Sequence, residues 1–359
     1  MNIFYRWYKD YLTDPQVVIF ILIGLGIIVV FSTMGQFLTP VIASLVIAYV
    51  LEGLVRPLEQ RKVPRIFAVI VVFTLFMLVL VFLIVGLIPL LSKQISQFLQ
   101  DLPQMITSWQ DQLHTLPKRY PQVVTESQIN KVMDFITGQI TSLGQNFLSF
   151  SLASVRSMIN IVVYMVLVPL MVFFLLKDKM KIIHYLQGFL PENIALANQV
   201  WQEMNHKIAR FIQGKIWEIL IVWGMSYIVF ALLELKFSVL LSFLVGLSVI
   251  VPYVGATVMT IPVALVAFFQ WGWTAQFAYA ILSYLIIQFL DGNILVPLLM
   301  SGIVNLHPMA IIIGILVFGG FWGFWGVFFA IPLATLVHAI VKAWPRKRQQ
   351  AQAKEQLPE

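Results

Sequence analysis

The sequence predicts an all-α, polytopic transmembrane fold, and its composition is the first evidence. Of the 359 residues, 60% are hydrophobic and only 11% are charged. A soluble fold would lack the polar side chains needed to cover so apolar an interior. A bilayer reverses that requirement, because lipid solvates apolar side chains and a helix satisfies its own backbone hydrogen bonds. The 10 Trp agree with this, since Trp prefers the headgroup boundary.

Long apolar runs are the second observation. A helix needs about 20 residues to span about 30 Å of hydrocarbon, and about eight runs of that order are present. They cover approximately residues 17–37, 38–55, 66–91, 158–176, 216–233, 237–269, 275–299 and 307–341. The run at 237–269 is long enough to cross twice or to bend back, and the sequence leaves both open.

The distribution of Lys and Arg predicts the orientation, because short cytoplasmic loops retain positive charges. With eight crossings, 17 of the 23 basic residues fall on one side. The other six are Lys93, Lys118, Arg119, Lys131, Arg156 and Lys236. Both termini and residues 178–215 are therefore expected in the cytoplasm, and residues 92–157 outside it. The net charge of +7 is attributed to topology and not to a nucleic-acid partner, because the basic residues form no domain of their own.

Four segments follow from these patterns: N-terminal spans (1–91), an extracytoplasmic insert (92–157), C-terminal spans (158–341) and a basic tail (342–359). The insert is predicted to be amphipathic helices joined at Pro103, Pro117 and Pro121. Its apolar residues recur at spacings of three and four, and they are Ile95, Phe98, Leu102, Met105, Ile106, Trp109 and Leu113.

A second amphipathic helix is predicted near residues 194–215, within the cytoplasmic segment. Its apolar stripe consists of Val200, Trp201, Met204, Ile208, Phe211 and Ile212. This helix either lies along the inner interface or moves with a pore as a coupling helix.

No catalytic constellation is apparent. The five His are scattered, no nucleotide-binding or nucleophile motif occurs, and the chain has no Cys. We therefore expect no enzyme activity, cofactor or metal, and no ATP-driven pumping by this chain.

Asp291 is the leading functional candidate, because an ionisable residue within an apolar span costs several kcal/mol. It lies with Gln288, Gly292, Asn293 and Pro297 in a run that contains no other charged residue. This stretch predicts a broken helix whose freed backbone groups bind a substrate or an ion. The alternative is that Asp291 and Asn293 cap a half-helix at the membrane edge.

A matching break is predicted at Pro252, Tyr253 and Gly255. Two breaks in neighbouring spans suggest a pair of discontinuous helices around a cavity, in which Tyr253 would bond to Asp291 or Gln288. A simple loop turn is the alternative.

Small residues and a proline near the end of the chain predict close helix packing, or a hinge. They are Gly319, Gly320, Gly323, Gly326 and Pro332. Three glutamates near run ends, at 52, 218 and 234, are explained by snorkelling or by pairing with Arg56, Lys215 and Lys236.

These motifs resemble the autoinducer-2 exporter family, and most closely its PerM-type permease branch. The resemblance rests on the Pro252–Ala256 turn, the Gln288–Pro297 stretch and the Gly-rich segment 318–332. It extends through Val168–Asp178 and Asn305–Pro308, with similar length and run order over nearly the whole chain.

The resemblance implies a multi-pass protein of the bacterial inner membrane, homo-oligomeric in at least some members. It further implies transport of the quorum-sensing signal in some members or cation/proton antiport in others. From the residues we expect a secondary exporter of a small molecule, whose energy comes from an ion gradient such as protons or sodium, from a partner, or from the substrate's own gradient. A function of another class is also open: a non-transporting scaffold that recruits partners through residues 92–157 and 178–215.

Overall fold

The computed structural model describes residues 15–113, 154–188, 195–252, 254–300 and 306–338, together with residues 127, 130, 131 and 138. Within these ranges the regular structure is entirely helical, so the predicted all-α class is confirmed. Six of the described helices are long and apolar enough to cross a membrane. Two shorter apolar helices cover Val162–Lys177 and Ser238–Ser248.

The helices are numbered here in chain order. They are α1 (Pro15–Gln60), α2 (Arg65–Phe82), α3 (Ile88–Leu113), α4 (Ser154–Lys177), α5 (Lys179–Gln187), α6 (Ala195–Leu232), α7 (Ser238–Ser248), α8 (Val254–Trp271), α9 (Ala275–Leu290), α10 (Val296–Leu299), α11 (Pro308–Phe328) and α12 (330–338). Two π-helical turns, Leu83–Leu87 and Asp291–Leu295, join α2 to α3 and α9 to α10.

The chain forms two compact units, and it passes between them four times. Unit 1 consists of Met1–Phe73, Val168–Trp217 and Leu295–Glu359. Unit 2 consists of Thr74–Leu167 and Glu218–Ile294. Each unit thus draws its helices from distant parts of the sequence.

The prediction that the runs 17–37 and 38–55 are two separate membrane spans is wrong. Both lie in α1, a single helix of 46 residues that contains Pro40 and Pro57. The hydroxyl of Ser44 donates to the carbonyl of Pro40 at 2.6 Å, within the same helical turn as the proline. An uninterrupted helix about 69 Å long cannot make two antiparallel crossings. The prediction that the N-terminus is cytoplasmic is therefore supported only by the distribution of Lys and Arg, and no longer by the count of crossings.

The amphipathic stripe predicted after residue 92 is confirmed in α3. Met105 and Ile106 are buried, and Ile95, Phe98 and Leu102 are half-buried. The expected joint at Pro103 is wrong, because α3 continues through this residue. The side chains of Trp109 and Leu113, and the joints at Pro117 and Pro121, lie outside the described residues.

In unit 2 this stripe packs against the start of α7. The ring of Phe98 meets that of Phe237 edge-on, with 5.4 Å between centroids. The side-chain oxygen of Gln94 accepts from the backbone N–H of Leu240 at 2.8 Å, which satisfies one of the free donors in the first turn of α7.

The amphipathic helix predicted at 194–215 is the first part of α6, which continues into the next span without a break. Phe211 and Ile212 are buried, as expected for the stripe, and Ile208 is half-buried. The side chains of Val200, Trp201 and Met204 lie outside the described residues.

The long run at 237–269 bends back on itself, as α7 and α8. Only 11 residues form α7, about 17 Å of helix, which is shorter than the hydrocarbon is thick. Gly255 at the start of α8 lies against the carbonyl of Ser248, so that a Cβ there would overlap this oxygen. Where α8 ends, the side chain of Gln270 bonds to the chain just before α7. It accepts from the N–H of Lys236 at 2.7 Å and donates to the carbonyl of Glu234 at 2.8 Å.

The run at 307–341 also folds back, within unit 1. It begins at His307, whose side chain caps α11 by accepting from the N–H of Met309, with Pro308 in the first turn. A Cβ on Gly314 would lie 3.3 Å from the carbonyl oxygen of Ala330, and Gly326 lies directly against the carbonyl of Phe318. These pairs run in opposite directions along the chain, so residues 308–322 and 324–338 form an antiparallel hairpin.

Gly323 makes the bend of this hairpin. Its backbone has φ 56° and ψ −132°, a region that residues with a Cβ rarely adopt. Gly319 and Gly326 lie on the inner faces of the hairpin, and Pro332 is buried in α12. A Cβ on Gly320 or Gly323 would contact nothing within 4 Å. The glycines thus serve two purposes, close packing and a bend.

We predict that Gly323→Ala lowers the free energy of unfolding by roughly 1–3 kcal/mol, because only the backbone conformation is strained. Gly320→Ala is the matched control: it adds the same methyl group to open space at a helical position, and should be neutral or stabilising by up to about 1 kcal/mol. Thermal unfolding of the purified protein in detergent compares the two. If both variants unfold at the same temperature, the claim that the bend at Gly323 requires a glycine is wrong.

Candidate functional site

The inward face of α9 ends at Asp291. Ala280, Tyr284, Ile287 and Asp291 are all buried, at spacings of four, three and four residues. This is the repeat of one helical face. The face is apolar except for the tyrosine and the carboxyl group, and Asp291 is only 8% exposed.

Tyr284 ties this face to α8 inside unit 2. Its hydroxyl donates to the carbonyl of Ala256 at 2.6 Å. The hydroxyl of Thr260 donates to the same carbonyl at 2.9 Å. Because Gly255 allows the close turn that precedes Ala256, this acceptor is held by the α7–α8 hairpin. The bond therefore fixes α9 relative to that hairpin.

The π-helical turn Asp291–Leu295 explains how Asp291 is accommodated. Pro297 follows this turn, and a proline lacks an N–H and clashes with the carbonyl four residues before it. Widening the preceding turn relieves that clash without exposing the backbone, and π-helical turns are frequent at functional sites. The π-helical turn Leu83–Leu87 likewise ends two residues before a proline, Pro89.

The predicted break at 288–297 is therefore a widened helix and not an unwound one. Gln288 is half-buried, and its side-chain nitrogen has no hydrogen-bond partner among the described residues. Asn293 is exposed and donates to the carbonyl of Phe289 at 2.9 Å, within its own helix. Pro297 is also exposed. Among the polar residues and the proline predicted to form this break, Asp291 is therefore buried and Gln288 half-buried, whereas Asn293 and Pro297 are exposed.

The second predicted break, at Pro252–Gly255, is the turn between α7 and α8. Pro252 is half-buried and Gly255 is buried against Ser248. Tyr253 lies outside the described residues, so its expected bond to Asp291 or Gln288 stays a prediction. Sequence reasoning passed over Tyr284, which is fully buried in the core of unit 2.

Sequence reasoning also failed to predict that the carboxylate of Glu218 is buried. The side chain is 2% exposed, so the expected snorkelling is wrong. The apolar run suggested that Glu218 lies at a membrane edge, whereas α6 begins 23 residues earlier and places it within the helix. The signal was the amphipathic stripe at 208–212, which continues into the apolar run with no proline between them. Lys215, on the same helix in unit 1, is also buried.

Glu52 does not pair with Arg56, the partner that the sequence suggested. Its carboxylate lies 3.2 Å from a guanidinium nitrogen of Arg65 and 2.7 Å from the ammonium of Lys179. Arg56 is exposed and takes no part in these contacts. In the part of the chain that the structure describes, no group of three or more His, Cys, Asp or Glu could hold a metal ion.

Six described helices that are long and apolar enough to cross a membrane, together with two helical hairpins, are typical of a polytopic membrane protein. Comparison with known proteins identifies its family: residues 17–346 match the model described as "AI-2E family transporter". The chain belongs to this family, and it is a multi-pass membrane transporter.

Individual relatives agree with this membership. The chain is 42% identical to the putative permease PerM of Escherichia coli K12 over 95% of its own length and 96% of the relative's. It is 27% identical to the putative transport protein YueF of Bacillus subtilis over 85% and 82%. The AI-2 transport protein TqsA of E. coli K12 is 23% identical over 92% and 93%.

We predict that Tyr284→Phe lowers the free energy of unfolding by about 1 kcal/mol, because a buried hydrogen bond is lost while the ring is kept. Tyr279→Phe is the control, since Tyr279 lies on the same helix and is exposed. Thermal unfolding in detergent measures both. An unchanged midpoint for Tyr284→Phe would show that this hydroxyl contributes nothing to the packing of α9 on α8.

Proposed function

We propose that this protein is a secondary-type exporter of a small molecule in the bacterial inner membrane. The observation that carries the proposal is the carboxyl group of Asp291, buried on the inward face of a membrane helix at a π-helical turn. A buried carboxylate in a span is costly to keep, and in transporters such groups bind ions, protons or substrates. A scaffold protein would have no use for it.

The proposed path involves Asp291, Gln288 and Glu218. Glu218 and Asp291 are both buried in unit 2. The side-chain nitrogen of Gln288, which has no partner among the described residues, supplies a donor one helical turn from Asp291. Carboxylates and an amide suit a small polar solute that carries hydroxyl groups, or a cation. We propose that this path opens at the turn between α7 and α8, where the sequence has Pro252, Tyr253 and Gly255, and that Asn293 and Pro297 support the π-helical turn.

Energy for export is proposed to come from a proton or sodium gradient that acts through Asp291. The transported solute is proposed to be an autoinducer-2-like molecule, since the relative TqsA is named an AI-2 transport protein. We also propose a homo-oligomer in the lipid bilayer, with no nucleic-acid partner and no cofactor.

The proposed topology places the C-terminal tail and residues 178–215 in the cytoplasm, and residues 92–157 outside. Between Gln60 and the tail, we propose one crossing each by the α2–α3 helix, by α4, by α6 and by α9. The α7–α8 hairpin and the hairpin of residues 308–338 enter the membrane and return to the same side. An even number of crossings leaves the Arg56–Arg65 loop and the tail on one side.

We predict that Asp291→Asn abolishes gradient-driven flux but leaves the protein inserted and folded. The substitution keeps the shape and the hydrogen-bonding capacity of the side chain, and removes only its charge. Flux is measured in sealed vesicles with candidate small polar solutes, under an imposed pH or sodium gradient. Exchange of solute at equal gradients should be less affected, because it needs no net ion movement.

Glu234→Gln is the matched control, because it removes one carboxylate from an exposed position at the end of α6. It should transport at the parental rate. If Asp291→Asn also transports at the parental rate over a range of pH, Asp291 does not couple transport to an ion. Thermal unfolding of both variants separates lost coupling from lost folding.

Reporter fusions after Thr125 and after Pro358 should report opposite sides of the membrane. A periplasm-active enzyme at the first position and a cytoplasm-active one at the second give the expected signals. If both fusions report the same side, one of the two hairpins crosses the membrane completely, and the count of crossings must change by one.

A further inference from the structure

An ionic cluster in unit 1 joins two chain segments that are distant in sequence. Arg65 at the start of α2 pairs with Glu52 at 3.2 Å and with Glu59 at 2.9 Å, both on α1. The same guanidinium donates to the carbonyl of Leu176 at 2.6 Å, and Lys179 at the start of α5 pairs with Glu52 at 2.7 Å. The α1–α2 turn and the α4–α5 junction therefore form one surface, called here the basic surface (residues 52–65 and 176–188).

The basic surface has an excess of positive charge. Its two segments contain seven Lys or Arg and three Asp or Glu, so four basic side chains are in excess. All three carboxylates are engaged in ion pairs: Glu52 and Glu59 as above, and Asp178 with Lys181 at 3.2 Å. The acidic groups are thus neutralised within the protein and do not repel an approaching anion.

The remaining basic side chains point to solvent. Arg56, Arg61 and Lys62 are exposed, and they have no carboxylate partner among the described residues. Lys177 is exposed as well, and its ammonium lies 6.0 Å and 5.9 Å from the ring centroids of Phe173 and Phe174. Such cation–π contacts hold the lysine at the end of the apolar helix without neutralising it.

Apolar side chains are exposed beside these cations. On α5, Met180 is 68% exposed between Lys179 and Lys181, and Tyr185 is 70% exposed. On the adjoining membrane helices, Phe67 follows Arg65 and Phe174 precedes Lys177, and both rings are exposed. The cations thus lie where two lipid-facing helices end, and a short helix with apolar side chains continues from one of them.

We propose that the basic surface binds the phosphate-bearing headgroups of anionic phospholipids. Excess cations bind the phosphates, while Met180 and Tyr185 insert among the acyl chains beside them. A soluble anion or a nucleic acid would use the same charges, but it would leave these apolar side chains in water. The exposed apolar groups therefore favour a membrane lipid as the occupant.

The test uses the whole protein, reconstituted in phosphatidylcholine vesicles with or without phosphatidylglycerol. Because the chain has no Cys, His184→Cys on α5 accepts a single fluorescent label. Quenching by brominated phosphatidylglycerol is compared with quenching by brominated phosphatidylcholine. The label should be quenched more strongly by the anionic lipid, with a preference that falls as salt is raised.

The triple variant Arg61→Gln, Lys62→Gln, Lys177→Gln should lose this preference, by about fivefold for each basic side chain removed. A control with the same change in net charge, Lys93→Gln, Lys131→Gln, Lys236→Gln, should keep it, because these exposed lysines belong to unit 2.

Four results would overturn the proposal. In the first, the unsubstituted surface shows no preference for the anionic lipid. In the second, the triple variant retains that preference. In the third, neither lipid quenches the label, as when a second copy of the chain or a partner protein covers the surface. In the fourth, inorganic phosphate abolishes the preference while chloride of equal ionic strength does not, so that the ligand is the free anion.

Discussion

The constraint on which this structure depends is that a backbone surrounded by hydrocarbon must satisfy its own hydrogen bonds. Prolines interrupt those bonds, and several lie inside the helices of this chain. Polar side chains also bond to carbonyls of their own helix: Ser44 donates to that of Pro40, and Asn293 to that of Phe289. At Pro89 and Pro297 the preceding helix widens into a π-helical turn, which keeps the chain helical.

This compensation also places the candidate site. Asp291 begins the widened turn before Pro297 and ends the inward face that Tyr284 fixes against Ala256. The acceptor carbonyl belongs to the first turn of α8, and its position follows from the contact of Gly255 with Ser248. One glycine, one tyrosine and one proline thus determine where the carboxyl group lies. The function proposed for Asp291 depends on that position more than on any single neighbour.

Composition and apolar periodicity sufficed to predict the all-α membrane class and the stripe on α3. The role predicted for Asp291 stays a prediction. Composition and periodicity left the fold of the 237–269 run open and did not predict the hairpin at 307–341, because a run of about 30 apolar residues has the same composition whether it crosses or folds back. The evidence for folding back is tertiary: Gly326 lies against Phe318, and Gly255 against Ser248. Glu218 was misjudged for a related reason, since the edge of an apolar run is not the end of a helix.

The central claim, that a polar path reaches the buried Asp291, is tested most directly by cysteine accessibility in this cysteine-free chain. Asp291→Cys and Gln288→Cys should react with a small water-soluble thiol reagent in vesicles. Ala280→Cys, buried on the same face of α9, should not. If positions 291 and 280 are equally unreactive, no path reaches the carboxyl group, and the account of Asp291 as part of a transport site is wrong.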